Sequence, residues 1–217
     1  MSKITTGLKL LGGVCLISSA ILILSGCSSG TTAATSTPAT PGAITTAVTS
    51  KPAVVTGTSS ISLVPSATSV KPGQNFDLTV RVQSSQATRG MHFDVKWDSS
   101  KVLCNSAESG NYYSAFASQN QGDVFLLPAK PVIDNDSGRF PSGSTKMMIS
   151  LTGARTEGGD FLGPSGTGDV YILHMTAKDG ASGEVNFTLA DVRLGDNTEA
   201  INDLQPKIIN AKITITP

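Results

Sequence analysis

Residues 90–103, GMHFDVKWDSSKVL, contain the clearest secondary-structure signal in the chain. From Met91 to Trp97 every second side chain is apolar, and the side chains between them are polar or charged. Strict alternation of this kind is typical of a β-strand with one buried and one solvent-facing side. The apolar set includes Phe93 and the only tryptophan of the chain. We therefore expect this strand to lie in the middle of a sheet, against the thickest part of the core.

Short apolar or alternating segments recur through residues 59–217, and clusters of Gly, Pro, Asn and Asp separate them. No long segment shows the 3.6-residue period of an amphipathic helix. Residues 111–117, NYYSAFA, are either one helical turn or an irregular aromatic cover over the end of a sheet. Short strands at this spacing indicate an antiparallel β-sandwich. Besides the central strand, the predicted strands are residues 61–64, 76–82, 102–107, 124–127, 147–151, 170–177, 185–189, 192–194 and 208–215.

The first 26 residues are typical of a signal peptide and are not expected to belong to the fold. Lys3 and Lys9 give a basic start, and residues 10–24 form a mostly apolar run that is too short for a ~30 Å hydrocarbon core. Residues 24–27, LSGC, resemble the lipobox of bacterial lipoproteins. That resemblance implies cleavage before Cys27 and lipidation of Cys27, whereas the alternative is a plain secretory signal. We expect a lipid-anchored protein outside the cytoplasm, tethered to the membrane without spanning it.

Residues 27–58 are predicted to form a flexible spacer between the anchor and the domain. Most of them are Thr, Ser, Ala, Pro or Gly, and Lys51 is the only charged residue. Such a composition buries too little surface to offset the entropy of ordering. As a coil the segment would span roughly 30 Å, and it also suits an O-glycosylated stalk. Once Cys15 is removed with the signal and Cys27 is lipidated, Cys104 remains and cannot form an internal disulfide.

Residues 59–217 form a single domain by length. Setting Lys3, Lys9 and Lys51 aside leaves 13 of the 16 basic residues, against 16 Asp and Glu. This slightly acidic balance gives no reason to expect a nucleic acid partner.

Four segments, in order, resemble the bacterial cohesin domains, in particular the members outside cellulosomes. Residues 70–76, VKPGQNF, resemble the start of the family's second strand. Residues 90–98, GMHFDVKWD, resemble its G-x-x-F-x-L-x-Y/F-D strand, with Trp97 at the usual Tyr or Phe. Residues 132–139, VIDNDSGR, resemble an I-D-N-x-x-G hairpin, and residues 166–175, GTGDVYILHM, resemble a G-x-G-x-L-A-x-I-x-F strand.

The resemblance implies a nine-stranded jelly-roll sandwich without catalytic residues or cofactor. It also implies a binding role, with dockerin modules as partners in cellulosomal members and other ligands elsewhere. The binding surface is expected on the outer face of the sheet that contains the third, fifth, sixth and eighth strands. Cellulosomal members often carry Asp or Asn near the start of the third strand, where this chain has Gly90 and His92. The implied outward positions are His92, Asp94, Lys96, Met148, Ser150, Ile172, His174 and Arg193.

Alternation also leads to a geometric prediction about the two histidines. His92 and His174 both point away from the apolar side of their strands, and the strand order of the family makes these strands neighbours. We therefore expect both histidines to be accessible on one sheet, within a patch of mixed charge. Two histidines could at most begin a weak metal site, and solvated sheet residues are the simpler interpretation.

Two loops have a superficial likeness to ligand sites. Residues 134–138, DNDSG, begin like a calcium loop, but Arg139 and Thr145 stand where that loop needs Gly and an acid. A turn explains this segment more simply. The Gly-rich residues 158–168 are followed by neither the Lys nor the helix of a phosphate-binding loop. We expect neither a metal nor a phosphate site.

Three classes of function follow from these observations. The first is a module that captures a secreted protein at the cell surface, and the second is a module that binds polysaccharide directly. The third is a structural or adhesive surface domain. Sugar binding would favour a planar aromatic strip, but the chain has eleven aromatic residues. Tyr112, Tyr113 and Phe116 are their only cluster.

Overall fold

Two β-sheets and one short helix make up the computed structural model, which describes residues 58–143 and 146–217. The predictions for the signal peptide, Cys27 and the spacer lie outside these residues. The helix α1 spans Tyr112–Gln119. The strands are β1 (Ser59–Pro65), β2 (Ser69–Val70), β3 (Asn75–Ser84), β4 (Thr88–Lys96), β5 (Val102–Ser109), β6 (Asp123–Leu127), β7 (Arg139–Phe140), β8 (Met147–Thr152), β9 (Gly166–Ala177), β10 (Gly183–Asp196), β11 (Lys207–Ile209) and β12 (Ala211–Ile215).

The strands pair into two sheets of mostly antiparallel strands. The first sheet has the order β11-β1-β3-β9-β5, and the second has the order β2-β12-β10-β4-β8-β6, with β7 also paired to β4. The pairs β1–β11 and β2–β12 are parallel. The predicted all-β sandwich is confirmed. In the described residues nine strands have five residues or more, and β2, β7 and β11 have two or three.

The alternating segment becomes β4, which lies inside its sheet as predicted, with β10 and β8 as its neighbours. Its apolar side faces the other sheet, and Phe93 and Val95 are completely buried. Trp97 follows the last residue of the strand and is only 6% exposed. Its backbone N–H donates a hydrogen bond to the carbonyl of Gly138 at 2.9 Å. The prediction that Trp97 belongs to the core is therefore confirmed.

Side chains from both sheets interdigitate to form one core, as in other two-layer sandwiches. Phe76 of β3 and Phe187 of β10 meet edge to face, with ring centroids 6.0 Å apart. Phe93 of β4 and Tyr171 of β9 form a similar pair at 6.3 Å. Since these strands pair and pack among themselves within the described residues, we expect residues 58–217 to fold when produced on their own.

The aromatic segment after β5 forms the helix α1 and closes one end of the sandwich. Tyr112 and Tyr113 are buried, and both phenol oxygens lie 3.3 Å from the hydroxyl of Thr88. The hydroxyl of Tyr112 also donates to the carbonyl of Pro164. Burial raises the pKa of Tyr112. The helical alternative is therefore correct, and it also covers the sheet end.

The segment that begins like a calcium loop is a turn held by its own side chains. The Asp134 carboxylate accepts from the backbone N–H groups of Asp136 and Ser137 at 3.1 and 3.0 Å. The Asn135 amide instead clamps the backbone of Cys104, accepting from its N–H and donating to its carbonyl. These hydrogen bonds therefore hold the turn that precedes β7 against β5.

Candidate binding face

The outward residues predicted from alternation divide between the two sheets. His92 lies on β4 in the second sheet, whereas Ile172 and His174 lie on β9 in the first sheet. The prediction that the two histidines share one sheet is therefore wrong. Alternation identifies the buried side of a strand, but it does not identify the strand's neighbours. The neighbours of β9 are β3 and β5.

The outer side of β9 belongs to a polar surface. The Nδ1 of His174 lies 2.8 Å from Asp77 Oδ1, and its Nε2 lies 3.6 Å from Glu108 Oε1. Nearby, the Arg81 guanidinium donates to the Asp169 carboxylate at 2.6 Å. These side chains are largely satisfied by one another across the strands. Because β9 belongs to the first sheet, Ile172 and His174 do not lie on the same face as His92.

Asp94 points outward, as alternation predicts, but it is not exposed. The short strand β7 pairs with the end of β4, opposite Lys96, and places Arg139 over the Asp94 carboxylate. The two form an ion pair in which the Asp94 side chain is 1% exposed. Asp94 is therefore covered, and Lys96 beside it remains exposed.

The other predicted residues do come together on the outer side of the second sheet. His92 lies opposite Arg193 of β10 on one side and opposite Met148 of β8 on the other. Ser150 lies opposite Gly90 in the adjacent row. Residues directly opposite each other on one face are close enough to act as one surface.

The edge strand β6 adds two residues that sequence reasoning missed. Phe125 pairs with Ser150, and Leu127 pairs with Met148, so both extend the same outer surface. Their side chains are 51% and 50% exposed. Because residues 124–127 are all apolar, no alternation indicated which of them face solvent. Only the pairing with β8 shows it.

A loop after β10 adds the last apolar residue. Ile201 has a left-handed backbone with φ of 50°. Its Cγ2 would lie 2.3 Å from a Cβ on Gly195, so only glycine leaves room for this contact. Ile201, Met148 and His92 surround an open concavity of about 190 Å³ beside Gly90. We call this concavity the Gly90 socket.

We call the whole outer surface of β6, β8, β4 and β10, with Ile201, the β6–β10 face. Eight large hydrophobic side chains are exposed in the described residues, and four of them lie on this face. Apolar side chains gathered on one surface are a feature of interaction sites. The four residues are Phe125, Leu127, Met148 and Ile201.

Two charged pairs involve residues of β10. Arg193 contacts Asp203 at 3.4 Å, and Lys146 contacts Asp191 at 3.7 Å. Burial lowers the pKa of His92, and the nearby positive charges of Lys146 and Arg193 lower it further. The imidazole is therefore held in its neutral form, which is compatible with contact to an apolar surface.

Reactive groups are not assembled on this face. Cys104 is buried, and burial raises the pKa of its thiol to about 12, which makes it a poor nucleophile. Within residues 58–143 and 146–217, no three His, Cys, Asp or Glu side chains are placed to hold a metal ion. The same residues form no helix that is long and apolar enough to cross a membrane. What the arrangement can do is bind a complementary apolar surface.

Several solved structures have the same fold. A type II cohesin domain from the cellulosome of Acetivibrio cellulolyticus aligns with a TM-score of 0.52 and 13% identity, over 73% of this chain and 95% of that one. A type I cohesin–dockerin complex from Clostridium thermocellum gives 0.51 and 14%, over 73% and 99%. The seventh ScaB type I cohesin from Pseudobacteroides cellulosolvens gives 0.51 and 11%, over 73% and 92%.

At these identities the structural likeness shows the fold alone. None of the curated proteins compared with the chain matches it significantly. The family is shown by the sequence instead, because the profile of the cohesin domain matches residues 61–215, well over half of the chain. The chain therefore belongs to the cohesin domain family.

Proposed function

We propose that this chain is a non-catalytic module that captures a dockerin-like protein on the β6–β10 face. The observation that carries the proposal is the gathering of Phe125, Leu127, Met148 and Ile201 on one sheet surface. Exposed apolar side chains with charged pairs beside them are typical of protein interfaces. The Clostridium thermocellum relative was solved with a dockerin bound, which supports a partner of that kind.

A protein fits this face better than a polysaccharide does. A sugar platform needs planar aromatic rings in a row, and Phe125 is the only exposed large aromatic side chain in the described residues. Tyr112 and Tyr113, which the sequence offered as an aromatic cluster, are the first residues of α1 and are buried. The surface therefore lacks the strip of rings that direct glycan binding would favour.

The proposal also includes the location of the module, outside the cytoplasm at a membrane. A lipid at Cys27 and a spacer of about thirty residues would hold the domain away from a membrane, outside the cytoplasm. There it could retain a secreted partner at the cell surface. The cellulosomal relative supports a role in polysaccharide-related assembly, in which the captured protein, rather than this chain, would act on the polysaccharide.

Capture by matched variants tests the proposal. Residues 58–217 are immobilised and exposed to the secreted proteins of the source organism, and the retained proteins are identified by mass spectrometry. The double variant Leu127→Ser/Met148→Ser should lose at least about tenfold in capture, as expected when large side chains are truncated in an interface. The control Ile208→Ser/Ile209→Ser removes two similarly exposed side chains from β11 in the other sheet and should retain capture.

Urea unfolding of each variant shows that any lost capture is not lost folding. Equal capture by both double variants would contradict the β6–β10 face as the docking surface. A glycan array with the same domain separates the other classes of function. Strong glycan binding without protein capture would favour direct polysaccharide binding, and neither activity would favour a structural role.

A further inference from the structure

We infer that the Gly90 socket selects a partner segment in which one large apolar side chain lies next to a carboxylate. Ile201 and Arg193 then determine which partner is accepted. The inference rests on the proposed function and goes further, because it names the chemistry of the partner's anchor. Three features of the socket support it: the backbone floor at Gly90, the walls at Ile201 and Met148, and the charged rim at Arg193.

The floor of the socket is backbone, and it cannot be filled by an ordinary substitution. Gly90 lies opposite Ser150 on one side and Gly195 on the other, so the centre of the floor has almost no side chain. A Cβ on Gly90 would lie 2.6 Å from the carbonyl oxygen of Ile149. That distance is far below contact, which leaves glycine as the residue that fits. The depth of the socket is therefore set by the backbone of the sheet.

The wall at Ile201 is held in place by a network within the 196–203 loop. The Asp196 carboxylate accepts from the Thr198 hydroxyl at 2.6 Å and from the Asn202 backbone N–H at 2.8 Å. Burial raises the pKa of Asp196, but hydrogen bonds from Thr198 and Asn202 outweigh it and hold that pKa below its ordinary value. The carboxylate is therefore ionised and accepts these bonds at neutral pH.

The left-handed backbone of Ile201 is unfavourable for a β-branched residue and needs such support. The network holds the partly exposed side chain over Gly195. Met148 forms the facing wall from β8. A cavity of about 150 Å³ can hold a benzene ring, so a socket of about 190 Å³ has room for one large side chain.

The rim of the socket carries a charged pair. Arg193 and Asp203 form a pair at 3.4 Å, but the Arg193 side chain is 63% exposed and that of Asp203 only 27%. The cation is thus the partner-facing member of the pair. A carboxylate beside the apolar anchor would complement it, and such complementarity contributes to the choice of partner.

Small probes test this chemistry without the natural partner. Residues 58–217 carry ¹³C-labelled methyl groups, and the Met148 and Ile201 methyl signals are followed by NMR. N-acetyl-L-leucine has the side chain and the carboxylate, N-acetyl-L-leucinamide lacks the charge, and N-acetylglycine lacks the side chain. We expect saturable shifts with N-acetyl-L-leucine, several-fold weaker binding of the amide, and no saturable binding of N-acetylglycine.

Two variants separate the wall from the rim. Ile201→Ala should weaken both leucine probes several-fold, whereas Arg193→Gln should remove only the preference for the carboxylate. The inference is overturned if the leucine probes do not shift Met148 and Ile201, or if they shift the Ile208 and Ile209 methyls to the same extent. It is also overturned if Arg193→Gln keeps the preference.

The partner capture assay distinguishes this inference from the proposed function. Capture that is lost in Leu127→Ser/Met148→Ser but unchanged in Ile201→Ala would overturn the selective role of the socket and leave the docking face intact. Capture that survives in all of these variants would overturn the proposed function itself. A several-fold loss in Ile201→Ala, with the fold retained in urea unfolding, is the supporting outcome.

Discussion

Arg139 covers Asp94 on the outer side of β4, and the two side chains form an ion pair across neighbouring strands. The Asp94 side chain is 1% exposed and that of Arg139 is 23% exposed. Asp94 Oδ1 and Arg139 Nε have no hydrogen-bond partner within the described residues. A buried pair of this kind contributes little net stability, but removing one member is costly because it leaves the other charge uncompensated.

The difference in exposure predicts an asymmetry between the two single variants. Arg139→Ala leaves a buried carboxylate unpaired and should lower the free energy of unfolding by about 3–5 kcal/mol. Asp94→Ala should cost less, because the more exposed guanidinium can turn toward water. Urea unfolding of both single variants and the double variant gives the coupling. Strict additivity, or equal losses in the two single variants, would contradict this account.

The same pair changes the variant that should be used to test binding. Alternation alone would suggest substituting both His92 and Asp94 in order to weaken capture without unfolding the domain. Since Asp94 is buried under Arg139, that double substitution should destabilise the fold as well. The His92 substitution alone is the informative test of the face.

Stability should depend on pH through His92. The folded protein holds the pKa of this imidazole below the ordinary 6.5, mainly by burial and then by Lys146 and Arg193. The unfolded chain therefore binds more protons as the solution becomes acidic. The contribution of His92 to stability is complete above 6.5 and is lost as the pH falls from 6.5 through the folded-state pKa.

His92→Gln removes this titration and serves as the control. Urea midpoints of both proteins, measured at several values between about pH 7.5 and 5, should diverge only on the acid side, where the wild type loses more stability. A partner that covers His92 should bind more weakly over the same range. Parallel curves for the two proteins would show that His92 does not contribute.

Trp97 should tolerate an aromatic replacement far better than truncation. It is 6% exposed at the end of the central strand, and Trp→Ala in a core costs about 3–5 kcal/mol. Trp97→Phe keeps most of the apolar contact and removes an indole N–H that donates no hydrogen bond within the described residues. Urea unfolding should place Trp97→Phe between the wild type and Trp97→Ala. Equal stability of Trp97→Ala and the wild type would exclude a core role.

The proposed lipid anchor is tested at Cys27, which follows the predicted signal peptide. Cys27→Ala should release the protein from the membrane fraction, because no acylated residue would remain. Cys15→Ala, which changes a cysteine within the predicted signal, should leave the protein in that fraction. Fractionation and immunoblotting of the two variants give the comparison, and a Cys27→Ala protein that stays with the membrane would contradict lipidation at this position.

Local pattern was sufficient for the fold class and for the inner side of the main strands. The alternation from Met91 to Trp97 placed Phe93 and Val95 in the core, and β4 in the middle of a sheet. This succeeds because the two-residue period is a property of the strand itself. The ordered motifs likewise led to the cohesin family, which the match over residues 61–215 shows.

The binding face depended on contacts between distant segments, which a local period does not encode. Pairing with β3 and β5 placed His174 on the other sheet, and a side chain 45 residues away covered Asp94. Pairing with β8 turned Phe125 and Leu127 outward, although their segment has no alternation. The position of Ile201 required both a left-handed backbone and the space over Gly195. Local pattern thus specified most of the strands and, where residues alternate, the side that each strand buries. Which strands are neighbours was set by the tertiary structure, because packing and hydrogen bonding between residues far apart in the chain make that choice.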